Sequence, residues 1–550
     1  MKRLLLCMLL VIFGGFAFSQ NIRIIPEPES VMPTQEAFVI TSKTNIVANN
    51  PVKAQKTIAY LNDYLKKYYP LSLQRNTAQK NYIAFRLTSN GATIGSYTLD
   101  VAKDSIVISS GNEEGLFYGM QTLIQLLPTT PSSTLTIPGV VVKDAPHMTY
   151  RGMMLDCGRN FMPVDFVKKY IDYLALHKFN SFHWHLTEDQ GWRIEIKKYP
   201  RLTEVGAWRN GTIIGNHPGT GNTYKKTDGF YTQKEIKEVV KYAADRYITV
   251  LPEIEMPGHS SAAIAAYPQL SCFPDSSTEI QAKYWAGPRT GKQVQQSWGV
   301  YKDIYAPTEY TFHFIENVLD EVIKLFPSKY IHIGGDEAEK DYWNESPYCK
   351  QLMKNLKLKN ADELQSYFIQ RVEKYVNSKG REIIGWDEIL DGGIGGLSPD
   401  ATIMSWRGED GSIAAAQQHH NVIMSPFDWL YFDHQQLPHE DSITFSDNDK
   451  QFYLPLDSVY SYNPVPAKLS KDEQKYIIGM QANVWTEYIT NPRKVEYMVF
   501  PRIAALAEDA WTEPQNKNYD DFKSRMQSEI ARYKLWSVNY CTQWNQPDRN

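Results

Sequence analysis

Two hydrophobic rhythms alternate along the chain from position 150 to about 510. Short apolar runs of the kind that form buried parallel strands fall at Arg151–Asp156, Ser181–Leu186, Thr249–Ile254, Tyr330–Ile333, Glu382–Trp386, Thr402–Trp406, Asn421–Ser425 and Ile477–Val484. Runs with apolar residues at helical spacing follow or intervene at Val164–Leu176, Lys234–Arg246, Thr311–Leu325, Glu363–Asn377, Ser412–His419 and Val495–Ala510. This alternation predicts an α/β fold, a (β/α)8 barrel of the TIM type. A doubly wound sheet is the second choice, because no Gly-rich phosphate turn follows the first strand.

The segment before the barrel has a different pattern. Phe38-Val39-Ile40-Thr41 reads as a strand, and Ala54–Tyr68 as a helix with Ile58, Leu61, Tyr64 and Leu65 on one face. Tyr82–Leu87, Tyr97–Val101 and Ser105–Ser109 alternate like strands, and Glu113–Leu127 reads as a second helix. A last helix is expected at Tyr519–Leu535. The chain therefore divides into a leader at 1–19, a small α+β domain at 20–145, the barrel at 146–515, and a C-terminal helix and tail at 516–550 that packs on the barrel.

The leader changes the expected location. Lys2 and Arg3 precede the apolar stretch Leu4–Phe18, and Ala17-Phe18-Ser19 offers small residues for cleavage near Ser19/Gln20. This predicts an exported chain, periplasmic or secreted, with an uncleaved anchor as the alternative. No other run is long and apolar enough to span a membrane. Export would leave Cys157, Cys272, Cys349 and Cys541, four cysteines whose pairing the sequence does not choose. They lack the CxxC spacing of a structural zinc site.

Charge narrows the partners. The 58 Lys and Arg against 62 Asp and Glu give a net charge of −4, which argues against a nucleic-acid partner or an anionic membrane surface.

In a barrel of this kind chemistry sits at the C-terminal ends of the strands. In chain order those ends carry Asp156 and Arg159; His183, His185, Glu188 and Asp189; Glu253, Glu255 and His259; Asp336 and Glu337; Trp386, Asp387 and Glu388; Trp406 and Arg407; Trp429, Tyr431 and Asp433; Trp485 and Glu487. Carboxylates and indoles dominate. Pyranose rings stack apolar C–H faces on indole and pair their hydroxyls with carboxylates and Arg. The adjacent pair Asp336-Glu337 is the sharpest feature. Neighbours on a regular strand point to opposite faces, so both serve one site only at an irregular strand end. Gly334-Gly335 before them permits such a turn. Two close carboxylates also push their pKa values apart, which suits one charged group and one proton carrier.

These motifs resemble glycoside hydrolase family 20, the β-N-acetylhexosaminidases. The matching stretches are Arg151-Gly-Met-Met-Leu-Asp-Cys-Gly-Arg159, His183-Trp-His-Leu-Thr-Glu-Asp-Gln-Gly-Trp-Arg193, Pro257-Gly-His259, Gly334-Gly-Asp-Glu337, Gly385-Trp386, Tyr431-Phe-Asp433 and Trp485-Thr-Glu487. The segment before the barrel resembles, less specifically, the small domain that usually precedes it. The resemblance implies an exo-acting, retaining hydrolase that releases terminal β-linked GlcNAc or GalNAc by substrate-assisted catalysis, outside the usual two-carboxylate scheme. It implies Glu337 as general acid and base, and Asp336 as the group that orients the acetamido N–H and balances its charge. Tyr431 would bond the acetamido carbonyl. Trp386, Trp406 and Trp485 would wall the pocket. Arg159, Asp433 and Glu487 would hold hydroxyls. His259, with the acid at 188, would tune Glu337. This sequence departs from the family's usual Asp there and has Glu188. No metal or cofactor is implied; the partner is a glycan or chitin-type oligosaccharide.

Other readings remain at this stage. His183-x-His185 at a strand end is a possible metal pair of a metal-dependent hydrolase. A non-catalytic glycan-binding protein would use the same indoles. Glu253 and Glu255 share a strand face and are a possible acid–nucleophile pair. Asp189, Trp192 and Arg193 are expected to hold the second loop. The long segments Arg209–Lys226 and Ile280–Tyr305 carry Tyr224, Tyr284, Trp285 and Trp298, and Tyr284, Trp285 or Trp298 is expected to stack on the leaving sugar.

Overall fold

All eight apolar runs become strands of one closed parallel barrel, in the order in which they occur along the chain. The computed structural model describes residues 22–89, 93–393, 396–438 and 453–545; the expected leader at 1–19 lies outside them. The barrel strands are Tyr150–Asp156, Ser181–His185, Thr249–Met256, Tyr330–Gly334, Glu382–Trp386, Thr402–Ser405, Asn421–Met424 and Ile477–Ala482. Nearly every residue in them is buried, as strands covered by helices outside and side chains inside must be. Register sets the chemistry in layers. Asp156 stands beside His185, His185 beside Glu253, and Glu253 beside His332.

One expected helix is two. The run Val495–Ala510 is Pro492–Val499 followed by Arg502–Trp511. Pro501 between them has no N–H to donate and its ring collides with the preceding turn. The buried Arg502 fixes the break by donating to the carbonyls of Phe432, His434 and Leu454.

The N-terminal domain is a seven-stranded sheet in the order Ser30–Ile40, Leu135–Asp144, Tyr97–Ala102, Ser105–Ser110, Tyr82–Leu87, Asn45–Ala48, Gln74–Arg75. The helices Gln55–Tyr68 and Glu113–Leu126 accompany it. Sequence reading found the central strands but not Asn45–Ala48, Gln74–Arg75 or Leu135–Asp144. The last has a Pro-Gly pair inside it, which reads as a turn.

The sheet is tied to the base of the barrel by a buried ion pair. Lys178 Nζ lies 2.9 Å from Asp144, and the Trp511 indole donates to the other Asp144 oxygen at 2.9 Å. The C-terminal helix Tyr519–Leu535, expected on the barrel, packs there and also reaches the N-terminal unit. Its Arg525 grips Glu508 of the barrel and Glu27 of the N-terminal segment, while Arg532 donates to the Gln125 carbonyl. Among the described residues no helix is long and apolar enough to cross a membrane.

Candidate active site

A cavity of about 200 Å³ opens at the C-terminal rim of the barrel, lined by Arg159, Asp336, Glu337, Trp386, Trp406, Phe427, Tyr431, Asp433, Trp485 and Glu487. Nine of these ten were singled out from the sequence; Phe427 was missed because one Phe on a short helix carries no distinguishing signal. His259 and Glu188, the other two, lie directly behind the cavity.

The strand end that carries the acidic pair is irregular, as its glycines required. Gly334 and Gly335 have φ of +68° and +99°, and Glu337 itself has φ of +45°. A Cβ at Gly334 would stand 1.8 Å from a Glu255 carboxylate oxygen, so any other residue would have to displace that buried side chain. The turn brings both acids onto one imidazole: His259 Nε2 lies 3.3 Å from Glu337 Oε2 and 3.6 Å from Asp336 Oδ2.

On its other side His259 faces two acids rather than one. Nδ1 lies 2.8 Å from Glu188 Oε1 and 3.1 Å from Asp189 Oδ2. Asp189, expected to be structural, is fixed by the Ser261 N–H at 2.8 Å and shares the histidine. Glu188 uses its longer arm to reach Arg159 as well, at 2.9 Å. Burial alone would strip the proton from His259. The charge of Glu188, the hydrogen bond to Asp189 and the close approach of Glu337 outweigh it and raise its pKa well above 6.5. Burial likewise disfavours the Glu188 charge, but Arg159 and then His259 hold it well below the usual carboxylate range.

The acidic pair is split. Burial, opposed by His259 and reinforced by Glu253 and Glu337, pushes Asp336 up to about 6. Glu337 is also disfavoured by burial, yet the hydrogen bond and charge of His259 bring it below 4.5. In the free protein Glu337 therefore ionises first, and Asp336 follows only as the pH rises through about 6.

The aromatic walls hang from buried carboxylates. Trp386 donates its indole N–H to Glu253 Oε1 at 2.8 Å. The same carboxylate faces His332 at 2.9 Å, His183 at 3.0 Å and His185. Glu253 and Glu255 are thus not an acid–nucleophile pair facing the cavity. Glu253 is fully buried among imidazoles, and Glu255 packs under Gly334. His183, Glu253 and His332 place ligand-type atoms close enough to hold an ion, but the Glu253 carboxylate is already engaged by the three imidazoles and the indole. Trp406 donates to both oxygens of Glu388, and its ring lies nearly parallel to Tyr431, 18° between planes and 6.3 Å between centroids. Burial first, then Asp336 and Asp387, push Glu388 up to about 9. Trp485 closes the third side, with the Arg159 guanidinium 4.8 Å above its ring.

Several buried polar atoms around the cavity make no hydrogen bond within the protein: Arg159 Nη1, Asp336 Oδ1 and Asp433 Oδ1. Such atoms call for a polar ligand. Tyr284, Trp285 and Trp298 do not line this cavity. Trp285 and Trp298 are buried in a small apolar cluster with Ile213 and Ala282. Trp298 borders a second cavity of about 330 Å³ that shares Phe427, Asp433, Trp485 and Glu487 with the first, but neither Asp336 nor Glu337.

The family described as "Glycosyl hydrolase family 20, catalytic domain" matches residues 148–514, and "Glycosyl hydrolase family 20, domain 2" matches residues 21–145. A β-hexosaminidase of Porphyromonas gingivalis is 44% identical over 542 residues, covering 95% of this chain; the chain spans 65% of that relative's length. One from Vibrio furnissii is 36% identical, covering 88% of this chain and 76% of the relative. The solved exo-β-N-acetylglucosaminidase of Vibrio harveyi, in complex with N-acetylglucosamine, superposes with a TM-score of 0.82 at 33% identity, covering 95% of this chain and 78% of that one. With both family regions matched and the acidic pair, the histidine and the aromatic walls in one cavity, the chain belongs to glycosyl hydrolase family 20.

Proposed function

We infer that the chain is an exo-acting β-N-acetylhexosaminidase that removes a terminal, non-reducing GlcNAc or GalNAc from a glycan or chitin-type oligosaccharide, with retention and through an oxazolinium-type intermediate. The observation that carries this reading is the shared imidazole. Asp336 and Glu337 both approach His259 Nε2, so both stand on one side of the cavity. A conventional retaining pair flanks the ring, with one carboxylate as nucleophile; two acids held on one side instead suit a nucleophile supplied by the sugar's own acetamido group.

In this mechanism the 2-acetamido oxygen attacks the anomeric carbon, and the leaving oxygen takes its proton from Glu337. Asp336 accepts the acetamido N–H and balances the charge that develops on the ring being formed. Tyr431 donates to the acetamido oxygen, and Trp386, Trp406 and Trp485 confine the group. Arg159, Asp433 and Glu487 take the hydroxyls. Water, deprotonated by Glu337, then opens the oxazolinium from the face the leaving group vacated.

The protonation states follow from binding. The acetamido N–H stabilises the Asp336 charge and lowers its pKa. The sugar removes water from Glu337 and raises its pKa, while the imidazolium of His259, 3.3 Å away, is a proton source at hand. The same reading takes the chain as exported, on the strength of Lys2, Arg3 and the apolar stretch Leu4–Phe18.

The test is release of a chromophore from its β-GlcNAc glycoside by the wild type, Glu337→Gln and Asp336→Asn, each with and without chelator. Turnover that ignores chelator and falls by orders of magnitude in both variants is expected. Binding of N-acetylglucosamine without turnover would reduce the proposal to a glycan-binding site.

A further inference from the structure

Cys272 and Cys349 lie 77 residues apart in the chain, yet their sulfurs meet at 3.6 Å. We propose that this pair is a disulfide site, closed by a disulfide-class oxidant, and that the bond ties together the two loops that carry His259 and Glu337.

The placement of the two residues carries the inference. Cys272 follows the helix Ser261–Ala266 and the single turn Pro268–Leu270, which begin directly after His259. Cys349 sits in the first turn of the helix Pro347–Leu356, which ends the excursion that begins at Glu337. Contacts on all sides already hold these two segments together. The Trp343 indole donates to the Tyr305 carbonyl at 3.0 Å, Phe273 packs edge-on to Tyr342 at 5.1 Å, and Lys302 pairs with Asp341 at 2.8 Å. A disulfide needs its Cβ atoms a few ångströms apart and correctly aimed. Two thiols in contact inside a packed junction reach that geometry by a small side-chain adjustment. No domain has to move.

Accessibility gives the order of steps. Cys272 is partly exposed and Cys349 is buried. The Cys272 thiolate attacks a sulfur of the oxidant's disulfide, that S–S bond breaks, and one thiol leaves. The Cys349 thiolate then attacks Cys272 Sγ, the mixed disulfide breaks, and the second thiol leaves. Two electrons and two protons pass to the oxidant. A bond across so long a stretch of chain restricts the unfolded state strongly. Here it would also restrict local opening of the junction on which the acid–imidazole contact rests.

The test treats the full-length protein with oxidised glutathione, then digests it without reductant for mass mapping, alongside Cys272→Ser and Cys349→Ser. The expected result is one cross-linked peptide pair joining positions 272 and 349, a loss of two titratable thiols, and a melting temperature that drops by several degrees on reduction. Neither serine variant should give the cross-link or the reductant-dependent drop. Glutathione left on Cys272 without a cross-link, a cross-link to Cys157 or Cys541 instead, or equal melting of oxidised and reduced wild type would each overturn the proposal. The mapping is made on the wild type, so it stands even if a serine variant does not fold, and it is independent of any glycosidase activity.

Discussion

The indole N–H of Trp406 is shared between the two carboxylate oxygens of Glu388, at 3.1 and 2.9 Å. Glu388 is buried, and its pKa near 9 leaves it neutral at pH 7. It therefore holds the pocket wall without placing a third negative charge beside Asp336. Glu388→Gln keeps an acceptor oxygen and should lose little. Glu388→Ala leaves the indole N–H without its acceptor and the ring free to turn. A lost hydrogen bond of about 1 kcal/mol corresponds to about a fivefold loss, expected in kcat/KM and mostly through KM. Steady-state kinetics of the two variants decide it.

Asp336 must be ionised to receive the acetamido N–H, and in the free protein it takes up a proton near pH 6. The acid limb of kcat/KM reports the free enzyme. It should bend near pH 6 and fall about tenfold per pH unit below it. Asp336→Asn should abolish that bend along with most of the activity. A kcat/KM profile flat from pH 5 to pH 7 would separate Asp336 from the reaction.

Glu188 and Asp189 both face His259 Nδ1, but they do different work. Glu188 also neutralises Arg159, at 2.9 Å, whereas Asp189 is held by the Ser261 N–H. Removing Glu188 leaves a buried guanidinium and imidazolium short of a counter-charge, a change that costs about 3–5 kcal/mol where one partner of a buried pair is lost. Glu188→Ala should therefore melt earlier than Asp189→Ala, and should lower the pKa of His259 more. Thermal melts and an NMR titration of the imidazole measure both effects.

The sequence made the barrel and the pocket legible for a physical reason. Buried parallel strands are mostly apolar, and a catalytic rim ends them in polar residues, so both features are written locally. Asp336 and Glu337 could be read because two glycines announce the turn. What hid was set by distant pairing. Glu253 reads as a possible nucleophile until His183, His185 and His332 from two neighbouring strands are seen to surround it. Asp189 reads as a loop residue until Ser261 turns it toward His259. Trp285 and Trp298 read alike as sugar platforms because indole serves both purposes; the long loop clusters them with Ile213 and Ala282 and brings only Trp298 to the border of the second cavity, a path no local pattern encodes. The strand Leu135–Asp144 hid behind its own Pro-Gly; it pairs on both sides, and Pro138 falls at the register shift between Pro33 and Ala37 of its neighbour, where a ladder tolerates proline.

Gly334→Ala tests whether the acidic turn depends on glycine. Two costs combine there. At φ of +68° an L-residue's Cβ crowds its own backbone, worth about 1–2 kcal/mol. The same Cβ would stand 1.8 Å from Glu255 Oε2. Glu255 is buried, so its carboxyl would have to shift within the core to admit the methyl. That shift, next to Asp336, disturbs the turn and with it the placement of Asp336 and Glu337 against His259. Activity should therefore fall by orders of magnitude, while the loss of thermal stability stays moderate because only the last residue of one barrel strand, Tyr330–Gly334, is changed. Gly380→Ala is the control. Its φ of +71° carries the same backbone cost with nothing within 4 Å of the added methyl, so it should lose a comparable amount of stability and keep full turnover. If Gly334→Ala retained wild-type turnover, the acidic pair would not depend on the geometry of this turn.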